Sequence, residues 1–169
     1  DSVLSRCGWG WTEICQHSLR IGAGCFGPLD GHAQTMPRAE LVAIAQALAY
    51  FEQEPSLTIF SDHLNHVREF GKGRAACLLS AQGDLWREVW AVIDRRRAQN
   101  FHTSIAKVRA HGIEKGQPDP TVMPAATVGN AVADILAGRG ADLSQVDPAA
   151  VEKVRRLRGK QDLVIRRLV

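Results

Sequence analysis

The sequence predicts a mixed α/β fold: a sheet that begins with an antiparallel hairpin and goes on to parallel strands, with helices on both faces. Three observations predict it. A run rich in aromatic and β-branched residues and bounded by Gly, Gly8 to Cys15, is followed across a short polar link by a second strand-like run, Leu19 to Phe26, as the arms of a hairpin are. A continuous apolar run, Leu57-Thr58-Ile59-Phe60, lies between helical stretches, so part of the sheet is expected to be parallel and that strand to be covered on both faces. Apolar residues recur at helical spacing before it, after it and near the end of the chain.

In order along the chain, Gly8-Trp9-Gly10-Trp11-Thr12-Glu13-Ile14-Cys15 is the first predicted strand, and Leu19 to Phe26 the second. Gly27-Pro28-Leu29-Asp30-Gly31 is dense in turn formers and is expected to be loop, with Asp30-Gly31 as turn chemistry. Thr35 is the expected N-cap of a helix with Pro37 in its first turn and Leu41, Ile44, Ala45, Leu48 and Phe51 on its apolar face. Pro55 blocks continuation and the 57–61 strand follows. A short helix with His66, Val67 and Phe70 is expected next, stopped by Gly71-Lys72-Gly73-Arg74. Asp84 is the expected cap of a helix carrying Leu85, Val89, Trp90 and Ile93, and Arg95-Arg96-Arg97 suit its C-terminal dipole. The segment 101–109 is a predicted strand, 110–127 a long loop, 128–139 a helix closed by Gly140, and Asp147-Pro148 the start of a last, basic helix.

A chain of 169 residues, 45% hydrophobic and 23% charged, is an ordinary globular composition, long enough to bury a core. No apolar run reaches the ~18 residues of a membrane span and no secretory signal is visible, so the expectation is an intracellular protein, cytoplasmic or nuclear, without a membrane partner. The four cysteines, Cys7, Cys15, Cys25 and Cys77, include no CxxC pair and are read as free thiols, with a disulfide among the first three left open. Charge is uneven. Residues 151–169 carry seven Lys/Arg against Glu152 and Asp162, net +5, while the rest of the chain holds 14 basic and 16 acidic groups, net −2. That basic tail reads either as a solvated helix or as a polyanion contact.

Three carboxylates stand at element ends in this scheme. Glu40 sits in the first turn of the 36–51 helix, Asp62 directly follows the 57–61 strand, and Asp134 is placed near the start of the 128–139 helix. Each alone is bland: a first-turn acid, a helix cap, an exposed helix acid. Together they can meet at one end of the sheet and hold divalent metal ions, because carboxylate oxygens are the hard ligands Mg²⁺ takes. Asn130 lies one turn before Asp134 and either faces that site or bonds the helix start. His63 and His66 have helical spacing but no paired cysteines, so they are not read as a zinc site.

The stretches Gln34-Thr35-Met36-Pro37-Arg38-Ala39-Glu40-Leu41, Leu57 to Asp62, Lys107-Val108-Arg109-Ala110-His111-Gly112 and Gly129-Asn130-Ala131-Val132-Ala133-Asp134, in that order, resemble type I ribonuclease H domains, in the flavour found in retrotransposon polyproteins beside a reverse transcriptase domain. The resemblance covers 1–141 as a ribonuclease H-like domain and leaves 142–169 as a basic, helical C-terminal extension. It implies a two-metal nuclease, with Mg²⁺ or Mn²⁺, that cuts the RNA strand of an RNA–DNA hybrid. Glu40, Asp62 and Asp134 would be the catalytic, metal-binding carboxylates, and His111 a loop histidine assisting proton transfer or product release. In that family the first acid lies on a central first strand, followed by Gly and Ser, and pairs with the strand ending in Asp62. Only Asp1-Ser2 stands in its place here, so Asp1 is the candidate fourth ligand on a strand that looks truncated.

Arg95, Arg96, Lys107 and Arg109, with Trp86 and Trp90 among them, are the candidate nucleic-acid contacts; the bland alternative is a solvated helix face with Trp90 in the core. Two further functional readings stay open: an inactive ribonuclease H-like module that binds nucleic acid or packs on a polymerase, and a DNA-cutting nuclease or integrase of the same superfamily.

Overall fold

Glycine sets how closely the first hairpin can be covered. In the computed structural model, which describes residues 6–108 and 124–168 and the side chains to residue 161, β1 (Gly8–Ile14) and β2 (Ile21–Pro28) pair antiparallel, with Trp11 opposite Cys25 and a register shift between Thr12 and Ile14. The second strand therefore extends through Gly27-Pro28, which the turn-rich composition had assigned to loop. Even-numbered residues of β1 face one side and odd ones the other. On the even side lies α5 (Pro124–Asp142): a Cβ added at Gly8 would stand 2.1 Å from the Ala141 backbone nitrogen, and one at Gly10 2.7 Å from that of Ala137. On the odd side Trp11 packs on Ala43 and Ala47 of α1 (Met36–Tyr50) and stacks edgewise with Phe51.

The second half is built on β3 (Ser56–Ser61) and β4 (His102–Lys107), which pair parallel in the register Ile59 opposite Ile105. Between them in sequence come α2 (Leu64–Gly71), α3 (Arg74–Leu78) and α4 (Gly83–Ala98). The main core joins α1 to α4: Leu41, Ile44 and Leu48 meet Leu85, Trp86, Val89, Trp90 and Ile93, with Cys77 and Ile105 completing it. Chain reversal at Gly73 needs the left-handed backbone it adopts, φ 90°.

The predicted mixed α/β class is observed, with antiparallel and parallel pairs and helices on both faces. The single continuous sheet is not: among the described residues the strands form two separate two-stranded sheets, β1–β2 and β3–β4. The apolar run of β3 is accordingly less covered than a strand buried on both faces, since Leu57, Ile59 and Phe60 are only half-buried.

Several boundaries move. Glu40 is the fifth residue of α1 and belongs to its second turn, and Thr35 caps that helix without a side-chain hydrogen bond. Asp84 is the second residue of α4, not its cap, and its carboxylate pairs with Arg38 at 2.6 Å. The late helix begins at Pro124, which makes Asp134 a mid-helix residue, and it passes through Gly140 to Asp142. The last helix, α6 (Pro148–Leu168), starts where expected; the Asp147 carboxylate accepts the Ala149 N–H at 3.0 Å. All four cysteines are free. No helix of the described residues is long and apolar enough to cross a membrane.

Candidate functional site

Glu40, Asp62 and Asp134 come from three separate elements and line one cavity of about 910 Å³. The order of the chain makes this possible. α1 runs away from the site, β3 returns antiparallel to it, and Asp62 follows its last residue, next to the second turn of α1 where Glu40 projects. α5 crosses the hairpin from the other face, bringing Asn130 and Asp134 on successive turns into the same cavity. The Asn130 side-chain amide donates to the Asp62 carboxylate at 3.5 Å, so Asn130 faces the site rather than the start of its helix, which lies six residues earlier. Ser61, buried beneath, accepts the His63 N–H on its hydroxyl at 3.1 Å and the Val108 N–H on its carbonyl at 3.0 Å, which ties the end of β3 to the end of β4.

Glu40 is the electrostatically exposed point of the group. Its Oε2 is buried and accepts no hydrogen bond, and the nearest cationic candidate is His63 Nδ1 at 3.7 Å. Burial, and then the negative charges of Asp62 and Asp134, push its carboxyl up to about 7, with Lys107 opposing. A buried carboxylate oxygen without a donor is costly, and a carboxylate raised this far is a common mark of a functional site. The donor set is all oxygen, three carboxylates and the Asn130 amide carbonyl, and it fits a hard divalent cation. As placed, no three His, Cys, Asp or Glu side chains among the described residues converge on one metal-sized point.

His66 adds a second buried titratable group beside this cluster. It is 2% exposed; Nε2 is 3.1 Å from the Gln82 side-chain oxygen and Nδ1 has no partner. Its ring lies 4.1 Å from that of His63, and burial followed by His63 holds it down at about 4. Residue spacing alone marked His63 and His66 only as helix neighbours. That His63 would face Glu40 depends on how α2 leaves β3, and no local signal encodes that.

The expected nucleic-acid contacts divide. Arg96 is fully buried and its donors are used inside the fold: Nε to Thr103 Oγ1 at 2.8 Å, Nη1 to the Phe51 and Glu52 carbonyls at 2.6 and 3.0 Å, and Nη2 to the His102 carbonyl at 2.8 Å. It pins the end of α1 to the start of β4 and is not a surface contact. Trp86 and Trp90, at 0% and 2% exposure, belong to the core and offer no stacking platform. Arg95 is on the surface, 2.6 Å from Glu52. Lys107 lies at the end of β4, close enough to lower Glu40, and donates to the Val108 carbonyl. Asp1, Arg109 and His111 lie outside the described residues. A scan against protein-family models finds no match for the chain, and neither does a search of curated proteins.

Proposed function

We propose that the chain is a metal-dependent nuclease that hydrolyses the RNA strand of an RNA–DNA hybrid. The observation that carries the reading is Glu40: a buried, donor-less carboxylate oxygen, raised by the neighbouring charges of Asp62 and Asp134. Such a group is satisfied by a cation, and the sequence resemblance supplies the reaction class. Glu40, Asp62 and Asp134 would hold Mg²⁺ or Mn²⁺, with Asp1 as a fourth ligand and His111 assisting at the leaving group. The ions would stabilise charge on the attacking and departing phosphate oxygens. Asn130 orients Asp62, Lys107 offsets the negative cluster, and Ser61 fixes the strand end on which Asp62 is carried. A reverse transcriptase domain in the same polyprotein would be the natural partner.

The test is cleavage of an end-labelled RNA–DNA hybrid with Mg²⁺ and with Mn²⁺, beside plain DNA duplex. The reading requires hybrid cleavage that Asp62→Asn abolishes. Absence of cleavage with either ion, or cleavage of DNA duplex alone, overturns it. Hybrid binding with a steep salt dependence and no cleavage is the outcome of the second reading, an inactive nucleic-acid-binding module.

A further inference from the structure

α6 is a long helix with a regular apolar stripe and nothing laid along it. It runs for 21 residues, about 31 Å at the α-helical rise. Among the described residues no other element packs along it. Helices in proteins draw most of their stability from packing an amphipathic face, and Gly159 in the interior weakens this one further. The stripe follows a definite repeat. Ala150, Val154, Leu157, Gln161, Val164 and Leu168 succeed one another at alternating spacings of four and three residues. That is the a/d seam of a coiled coil, with a period of 3.5. Val154 falls at an a position and Leu157 at the next d, the β-branched and γ-branched choices that suit two parallel strands. Val154 is half-buried and Leu157 is 55% exposed, so the seam is open where the side chains are described.

One flank of the seam carries a single sign of charge. Lys153, Lys160 and Arg167, each seven residues from the next, occupy every g position of the repeat. Residues at e and g meet across a coiled coil and set the choice of partner. Three cations in a row on that flank call for carboxylates on the helix that faces them.

We propose that α6 is one strand of a heteromeric coiled coil, and that its partner is an acidic amphipathic helix of another protein, with Glu or Asp set opposite Lys153, Lys160 and Arg167. A second copy of the chain is disfavoured in both orientations. In an antiparallel pair the g flank meets itself, cation against cation, and in a parallel pair Lys153 meets Arg158 of the copy. A polyanion accounts for the cations but not for the apolar repeat. An anionic lipid surface accounts for both, but Gln161 interrupts the middle of the stripe and α6 holds no aromatic residue to seat at an interface. In a coiled coil a single polar residue at an a position has a use: it fixes register and strand number against a polar residue of the partner.

The test mixes the whole chain with a fluorescein-labelled peptide of three heptads, with valine at a, leucine at d, glutamate at e and g, and glutamine at its central a position. Metal and nucleic acid are left out, so the result stands apart from the nuclease reading. Fluorescence anisotropy reads binding and far-ultraviolet circular dichroism reads helix content. The expected result is saturable one-to-one binding, with more helix in the mixture than in its parts. Leu157→Asp should weaken binding at least tenfold. So should the double variant Lys153→Glu/Lys160→Glu, which should instead bind the same peptide carrying lysine at e and g more tightly than the parent chain does. These positions lie off the core, so the variants should melt as the parent does. Four outcomes overturn the proposal: no binding at high micromolar peptide, equal affinity for a scrambled peptide of the same composition (a general polyanion contact), undiminished binding by Leu157→Asp, or self-association of the chain through α6 that excludes the peptide.

Discussion

Glu40 and His66 give opposite pH signatures, and both can be read from denaturation. Glu40 is raised from its ordinary 4.5 to about 7, so between these values the native chain binds more protons than the unfolded one, and stability falls as pH rises through this window. Removing the charge with Glu40→Gln should therefore stabilise the metal-free protein at pH 8, by up to about 3 kcal/mol, with the difference gone near pH 4. Urea titrations of both proteins at the two pH values check this. Added Mg²⁺ should raise the wild-type melting temperature and leave the variant nearly unmoved, because a bound cation stabilises only the state that holds it. His66 is lowered from 6.5 to about 4. There the unfolded chain binds more protons, so stability is full above about 6.5 and is lost as pH falls toward 4. The His66→Gln variant should flatten that acid limb, seen as a smaller change of urea midpoint between pH 7 and pH 4.5. Arg96 is the third informative side chain. Arg96→Met leaves the Phe51, Glu52 and His102 carbonyls without their donor, and a cost of about 3–5 kcal/mol is expected from breaking a buried charged network. Hybrid affinity per folded molecule should not change, which a surface contact would not tolerate.

At the scale of elements, the contact of α5 with the hairpin decides whether Asp134 reaches the site. The helix sits backbone against backbone: a Cβ on Gly140 would lie 2.2 Å from the Gly27 carbonyl oxygen, whereas one on Gly138, two residues away, meets nothing within 4 Å. The two substitutions should separate. Gly138→Ala should stabilise by about 0.5–1 kcal/mol through helix propensity. Gly140→Ala should cost about 1–3 kcal/mol or more through overpacking against a backbone that cannot rotate away. Thermal unfolding of the pair measures the contrast. The apolar period located this helix, but its start at Pro124 was obscured because Ala125 and Ala126 fall in the 110–127 segment read as loop, beside Pro118, Pro120 and Pro124. Small residues look like weak structure in a sequence; in the fold they are what lets the helix approach.

For the whole molecule, α6 is the part that the core does not need. Its side chains described, to residue 161, are exposed or half-buried, none buried, and it carries a net +5 against −2 for the rest of the chain. A chain ending at Asp147 should unfold at a similar temperature. If the tail touches polyanions, that chain should bind hybrid more weakly and with a shallower dependence of log affinity on log salt, by about one unit per lost phosphate contact. Fluorescence anisotropy at several salt concentrations reads both.

Local pattern by itself determined the mixed α/β class, the positions of α1, β3, α4 and α6, and the three acids worth examining. Those features rest on period, caps and turn formers, which act within a few residues. Tertiary structure decided the rest. Arg95 and Arg96 are neighbours with the same chemistry, yet one pairs with Glu52 at the surface and the other is sealed under two elements; only the angle of α4 separates them. Leu57 to Phe60 reads as a strand covered on both faces, yet Leu57, Ile59 and Phe60 are only half-buried, and among the described residues β3 pairs with β4 alone. Strand pairing is a contact between distant segments, and a strand's own residues encode that it wants a neighbour on each side, not whether both are supplied.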